Sequence, residues 1–63
     1  MKATWKDRLQ LEKTRWRIVT DDGNWFHIKD TKLNMNTEVW LPDFWVALDL
    51  LVRLSPEDFG RLE

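Results

Sequence analysis

The only side chain here whose ordinary pKa suits proton transfer near neutral pH is His27, the single histidine. A general base also needs an orienting carboxylate and a pocket. Strand alternation instead places His27 beside Arg17 and Lys29, and cationic neighbours disfavour a protonated imidazole. His27 therefore reads as a contact residue, not a catalyst. Asp21-Asp22-Gly23-Asn24 has oxygen ligands in a row, but it lacks the alternation and terminal Glu of a calcium loop. An Asp-Gly turn explains it conformationally. Asp43, Asp49, Glu57 and Asp58 fall at helix starts and on a wet stripe, and Ser55 falls at a cap. Cysteine is absent, which removes disulfides, thiolate metal sites and cysteine nucleophiles. With no glycine-rich phosphate loop either, the expectation is a protein with no catalytic residues, metal, cofactor or small-molecule substrate.

Recognition chemistry is better represented. Arg15, Arg17, Trp25, His27 and Lys29 alternate onto one side of a hairpin, with Val19 beside Trp25. Trp is enriched at interface centres and holds cations over its ring. The same groups would suit phosphates and stacked bases. Charge weighs against that use. The net is −1 overall, with eight Lys/Arg against five Asp/Glu in residues 1–33 and two against six in residues 34–63. A protein partner is the preferred expectation, and a nucleic-acid-binding module using this basic aromatic face is the alternative.

These residues must be positioned by a hairpin. Residues 14–20 and 25–29 alternate with period two around Asp-Asp-Gly-Asn, a hairpin signal. A two-residue Asp22-Gly23 loop would set Ile18 opposite His27. A three-residue loop, Asp21-Asp22-Gly23 with Gly23 left-handed, sets Ile18 opposite Phe26 and Trp16 opposite Ile28. The second gathers Trp16, Ile18, Phe26 and Ile28 on one face, and register follows the buried face. Thr37–Leu41 reads as a third strand, with one of Val39 and Trp40 turned into the core.

Behind the sheet, the stretch from Leu41 to Leu54 is the one segment apolar and long enough for a central helix. Its large apolar side chains span roughly 220° of circumference, more than one packing surface requires. Asp49 and Arg53 form the wet stripe, with Val46 between them. Pro42 suits the first turn and Asp43 the positive end of the helix. The surplus centres on Ala47, Leu50 and Leu51, which makes them the expected helix interface.

Two short helices close the ends. In residues 4–13, Thr4 is an N-cap with Asp7 completing a weak capping box, and Trp5 and Leu9 share a face; a strand over Arg8 to Leu11 is the rival reading. At the other end Ser55 caps, Pro56 takes the first position, Asp58 completes a capping box, and Leu54 and Phe59 form a hydrophobic staple. Gly60 ends that helix.

The expected fold is α+β in one domain spanning 1–63. A three-stranded antiparallel meander carries the central helix on one face, flanked by a short N-terminal and a short terminal helix. A chain this small buries a thin core, so five Trp and three Phe supply bulk for the interior and leave some for a contact surface. No apolar leader or spanning segment is visible, and the expected location is cytoplasmic. The expected function is a non-catalytic protein-binding regulator or inhibitor acting by occlusion, with homodimerisation an option. Size and lack of cysteine match inhibitors that phage and mobile elements direct against host defence, of the anti-CRISPR kind. Leu62-Glu63 reads as a cloning remnant and carries no weight.

Overall fold

The structure, a computed structural model, describes residues 2–61. Its elements run α1 (Trp5–Leu11), β1 (Trp16–Thr20), β2 (Phe26–Asp30), β3 (Met35–Asn36), α2 (Phe44–Leu54) and a terminal 3-10 helix (Pro56–Phe59). The strands form an antiparallel sheet in the order β1-β2-β3. The α+β architecture is the expected one; several boundaries and one register are not.

Helix α1 forms because its first turn is capped from both sides. Thr4 Oγ1 accepts the Asp7 N–H at 3.4 Å, and the Asp7 carboxylate accepts the Thr4 N–H at 2.8 Å. Two of the helix's unpaired N-terminal donors are thereby satisfied, and no strand forms over Arg8–Leu11.

The hairpin pairs Ile18 with Ile28 and Trp16 with Asp30. This register lies two residues beyond the expected one, and the loop runs from Asp21 to Trp25. Side chains hold the wider loop open. Thr20 Oγ1 accepts from Gly23 N–H at 2.9 Å and donates to the Trp25 carbonyl at 2.7 Å. The Asp22 carboxylate accepts from the backbone of Asn24 and Trp25 at 2.9 and 3.2 Å. Gly23 is left-handed as expected, with φ of 81°. Because the slip is even, every side chain keeps its face. Ile28 is buried, Trp16 and Ile18 pack against the core, and Phe26 is half-buried.

The third strand is shorter and earlier than expected. Met35–Asn36 pairs with Asp30 and Lys29, and contact resumes only at Leu41, bridged to Phe26. Between these points the third segment carries two residues more than β2, so residues 37–40 bulge out. Neither Val39 nor Trp40 enters the core; both are exposed.

Helix α2 starts at Phe44 rather than Leu41. Asp43 is its N-cap, accepting from Trp45 N–H at 3.1 Å, and Pro42 stands outside the helix. Ala47, Leu48, Leu51 and Val52 fill the core with Leu11, Ile28 and Phe59. The wet stripe is present: Asp49 and Arg53 lie 3.8 Å apart and Val46 is exposed.

The terminal element is 3-10, and the expected box and staple do not form. The Ser55 side chain makes no capping bond. The Asp58 carboxylate accepts the Trp16 indole N–H at 2.9 Å instead, a stronger claim than a reciprocal cap on a single turn. Leu54 is 67 % exposed while Phe59 is buried. Gly60, with φ of 70°, ends the turn. The chain ends are drawn together by Ala3 N–H donating to Asp49 at 2.8 Å and by Arg61 paired with Asp7. Leu62-Glu63 lies outside the described residues.

Candidate interaction surface

The five hairpin residues do not assemble into a free basic face. Arg15 makes a bidentate pair with Asp30, its Nε 2.9 Å from Oδ1, and stacks over Trp16 with its guanidinium carbon 5.3 Å from the ring centre. Buried Asp30 also accepts the backbone N–H groups of Lys32 and Leu33 at 3.0 and 3.3 Å. The Arg15 hydrogen bond, above all, holds the Asp30 carboxyl below its ordinary value of 3.8. Arg17 turns back on its own chain, donating to the carbonyls of Leu11, Glu12, Thr14 and Trp16. It thereby satisfies carbonyl groups at the end of α1. His27 is buried, its ring 4.1 Å from that of Trp40, edge to face. Its Nε2 has no hydrogen-bond partner, and the Asp21 carboxylate lies 3.7 Å away. Trp25 stays 47 % exposed and Lys29 half-buried.

The expected helix interface is likewise displaced. Ala47 and Leu51 are sealed in the core, and Leu50 is half-buried against it. The short elements at both ends cover more of α2 than their length suggested, because Leu11 and Phe59 both insert there.

Leu33, Met35, Trp40 and Leu54 are exposed singly or in the loops, and the other side of α1 is open as well. Two pairs one turn apart compete for the interior of this helix, Trp5 with Leu9 and Asp7 with Leu11. The pair containing the carboxylate goes inside. Asp7 is 3 % exposed, Trp5 66 % and Leu9 70 %. Burial pushes the Asp7 carboxyl up, but the hydrogen bonds from Arg61 and Thr4 outweigh it and leave it below the ordinary 3.8. Trp5 stands edge to face with Trp45 at 5.3 Å between ring centres, and Trp45 does the same with Phe44 at 5.6 Å. The Arg8 guanidinium carbon lies 4.9, 4.7 and 5.8 Å from the ring centres of Trp5, Phe44 and Trp45. Exposed Val46 continues the surface, and a groove of about 460 Å³ runs between the N-terminal segment and α2, walled by Trp5, Trp45 and Val46. Sequence reasoning noticed that Trp5 and Leu9 share a face but gave that face no role. No signal within α1 marks that face as the outer one, because Asp7 is held inside by Arg61, fifty-four residues away.

Among the described residues no group of three or more His, Asp or Glu side chains is placed to hold a metal ion. No described helix is long and apolar enough to cross a membrane. Compared with family models, with curated proteins and with solved structures, the chain matches none.

Proposed function

We propose that this protein is a non-catalytic protein-binding regulator or inhibitor, and that it occludes its partner with the α1–α2 aromatic surface. The supporting observation is the inverted polarity of α1, which buries a carboxylate and leaves Trp5 and Leu9 to solvent. Two large apolar side chains held out of the core leave most of their area in water, and a partner that covers them gains their desolvation. Trp5 and Arg8, rigidified by their neighbours, are the residue types that dominate binding energy at interface centres. Nucleic acid is the weaker reading, because Arg15 and Arg17 are engaged within the chain and Arg8 lies on its own rings.

The test is affinity capture from a host extract with wild type, Trp5→Ala, Leu9→Ala and Trp25→Ala side by side, at low and high salt. The expected result is one protein retained by wild type and Trp25→Ala, persisting at high salt and lost with Trp5→Ala and Leu9→Ala. Equal capture by all four proteins would refute the assignment of this surface. Nucleic acid released by salt would favour the hairpin.

A further inference from the structure

The two edges of the sheet differ in how they are finished. The β3 edge is blunted: the strand is two residues long, residues 37–40 bulge, and Pro42 follows the Leu41 bridge. Such devices stop an edge from pairing with another chain. At the opposite edge, β1 is a five-residue strand, WRIVT, without Pro or Gly and with no strand beyond it.

Which β1 groups face outward follows from the ladder. Thr31 N–H donates to the Arg15 carbonyl at 2.8 Å. In the observed register, Arg15, Arg17 and Val19 therefore turn their N–H and C=O toward β2, and Trp16, Ile18 and Thr20 turn theirs outward. The alternation is consistent on β2, where Phe26 exchanges two bonds with Leu41 and the Ile28 carbonyl accepts from Thr37. At the outer edge Trp16 is already satisfied, its N–H by Thr14 Oγ1 and its carbonyl by Arg17. The N–H and C=O of Ile18 and Thr20 have no hydrogen-bond partner among the described residues.

We propose that this edge pairs with the same edge of a second copy, antiparallel about a two-fold axis through Val19, joining two sheets into one. That axis sets Ile18 opposite the partner's Thr20 as a hydrogen-bonded pair, and Thr20 opposite the partner's Ile18, so every open group finds a mate. Val19 meets the partner's Val19 across the axis. Charge selects the same register, because it places Arg17 opposite the partner's Asp21. Among the described residues Arg17 meets no carboxylate. Its Nη1 and Nη2 are held by backbone carbonyls, and its Nε–H is left to reach the partner's Asp21 without giving up those bonds. Asp21, with its side chain 87 % exposed, meets only His27 at 3.7 Å among the described residues. An axis through Ile18 would instead demand the Trp16 groups that are already taken. The edge is self-complementary in hydrogen bonds, apolar contact and charge, and this argues for a second copy over a foreign segment.

Sedimentation equilibrium over a wide concentration range, with residue-resolved amide exchange, tests the proposal independently of the aromatic surface. The expected result is a reversible dimer in which the Ile18 and Thr20 amides gain protection as concentration rises. Val19→Lys, which opposes like charges, and Asp21→Arg, which opposes Arg17, should each weaken the dimer about tenfold. Leu9→Ala should not change it. Circular dichroism verifies folding, and Asp21→Arg, in an exposed loop, keeps the test open if Val19→Lys unfolds. A monomer at every concentration overturns the proposal. So does a dimer whose Ile18 and Thr20 amides exchange freely, or one that Leu9→Ala weakens and Asp21→Arg does not.

Discussion

The two α-helices of this protein solve opposite problems. Helix α2 is held by what it buries: Ala47, Leu48, Leu51 and Val52 are closed to solvent, and its polar pair Asp49 and Arg53 lies on the outer stripe. Helix α1 is seven residues long, too short to be stable by itself. It is held mainly by polar interactions, through the Thr4–Asp7 box and the Asp7–Arg61 pair, with Leu11 as its one apolar anchor in the core. The contrast shows that an apolar pair at helical spacing need not mark an inner face. Where a buried ion pair fixes the rotation of a helix, its apolar side can be left for another molecule.

The sharpest way to break this contrast is to attack each helix at its own support. Leu48→Ala removes a side chain with no exposed surface and should cost about 3 kcal/mol, from lost burial plus the cavity left behind. Urea denaturation measures it. A cost near zero would mean that α2 is not the packing centre.

Asp7→Ala should come next, at about 2 kcal/mol, because it uncaps the helix and leaves Arg61 without its carboxylate. Its pH signature has a defined sign. Asp7 and Asp30 titrate below the ordinary 3.8 in the folded chain. The stability they contribute is therefore complete above the unfolded value and is lost as pH falls through the lowered folded values. Wild type should lose stability on acidification below that point, and the Asp7→Ala variant should lose less over the same range. Parallel acid limbs would show that the pair with Arg61 contributes nothing.

The same contrast marks where the sequence was legible. Several signals carried within a few residues read correctly, among them the Thr4–Asp7 box, the left-handed Gly23, the Asp49–Arg53 stripe and the inner face of the hairpin. The equally local Ser55–Asp58 box and Leu54–Phe59 staple failed because Asp58 is taken by the Trp16 indole. Hairpin register was misread because Thr20 and Asp22 stabilise a wide loop with side-chain bonds that turn rules based on glycine position do not count. The engagement of the hairpin arginines has another cause. Arg15 and Arg17 look free in alternation, yet Asp30, fifteen residues away, holds the first, and backbone carbonyls one to six residues away, which side-chain alternation does not count, hold the second. The choice between the two faces of α1 depends on Arg61, fifty-four residues from Asp7. Local spacing cannot reveal such partners.

Trp5→Ala should be milder, about 1 kcal/mol, because the ring is largely exposed but carries an edge-to-face contact with Trp45 and a cation contact with Arg8. Thermal denaturation should show this small loss, while partner capture falls much further. A loss as large as that of Leu48→Ala would mean that Trp5 belongs to the core.

Leu9→Ala is the smallest expected effect on folding and the most discriminating. Leu9 is 70 % exposed, and Leu and Ala have similar helix propensity, so stability should stay within about 0.5 kcal/mol of wild type. An exposed leucine with no role could be removed without consequence for binding as well. If the apolar side of α1 is a contact surface, this substitution should leave the urea midpoint in place and raise the partner's dissociation constant severalfold. Unchanged stability with unchanged binding would make Leu9 an ordinary exposed leucine and leave the occluding surface to Trp5, Trp45 and Val46 alone.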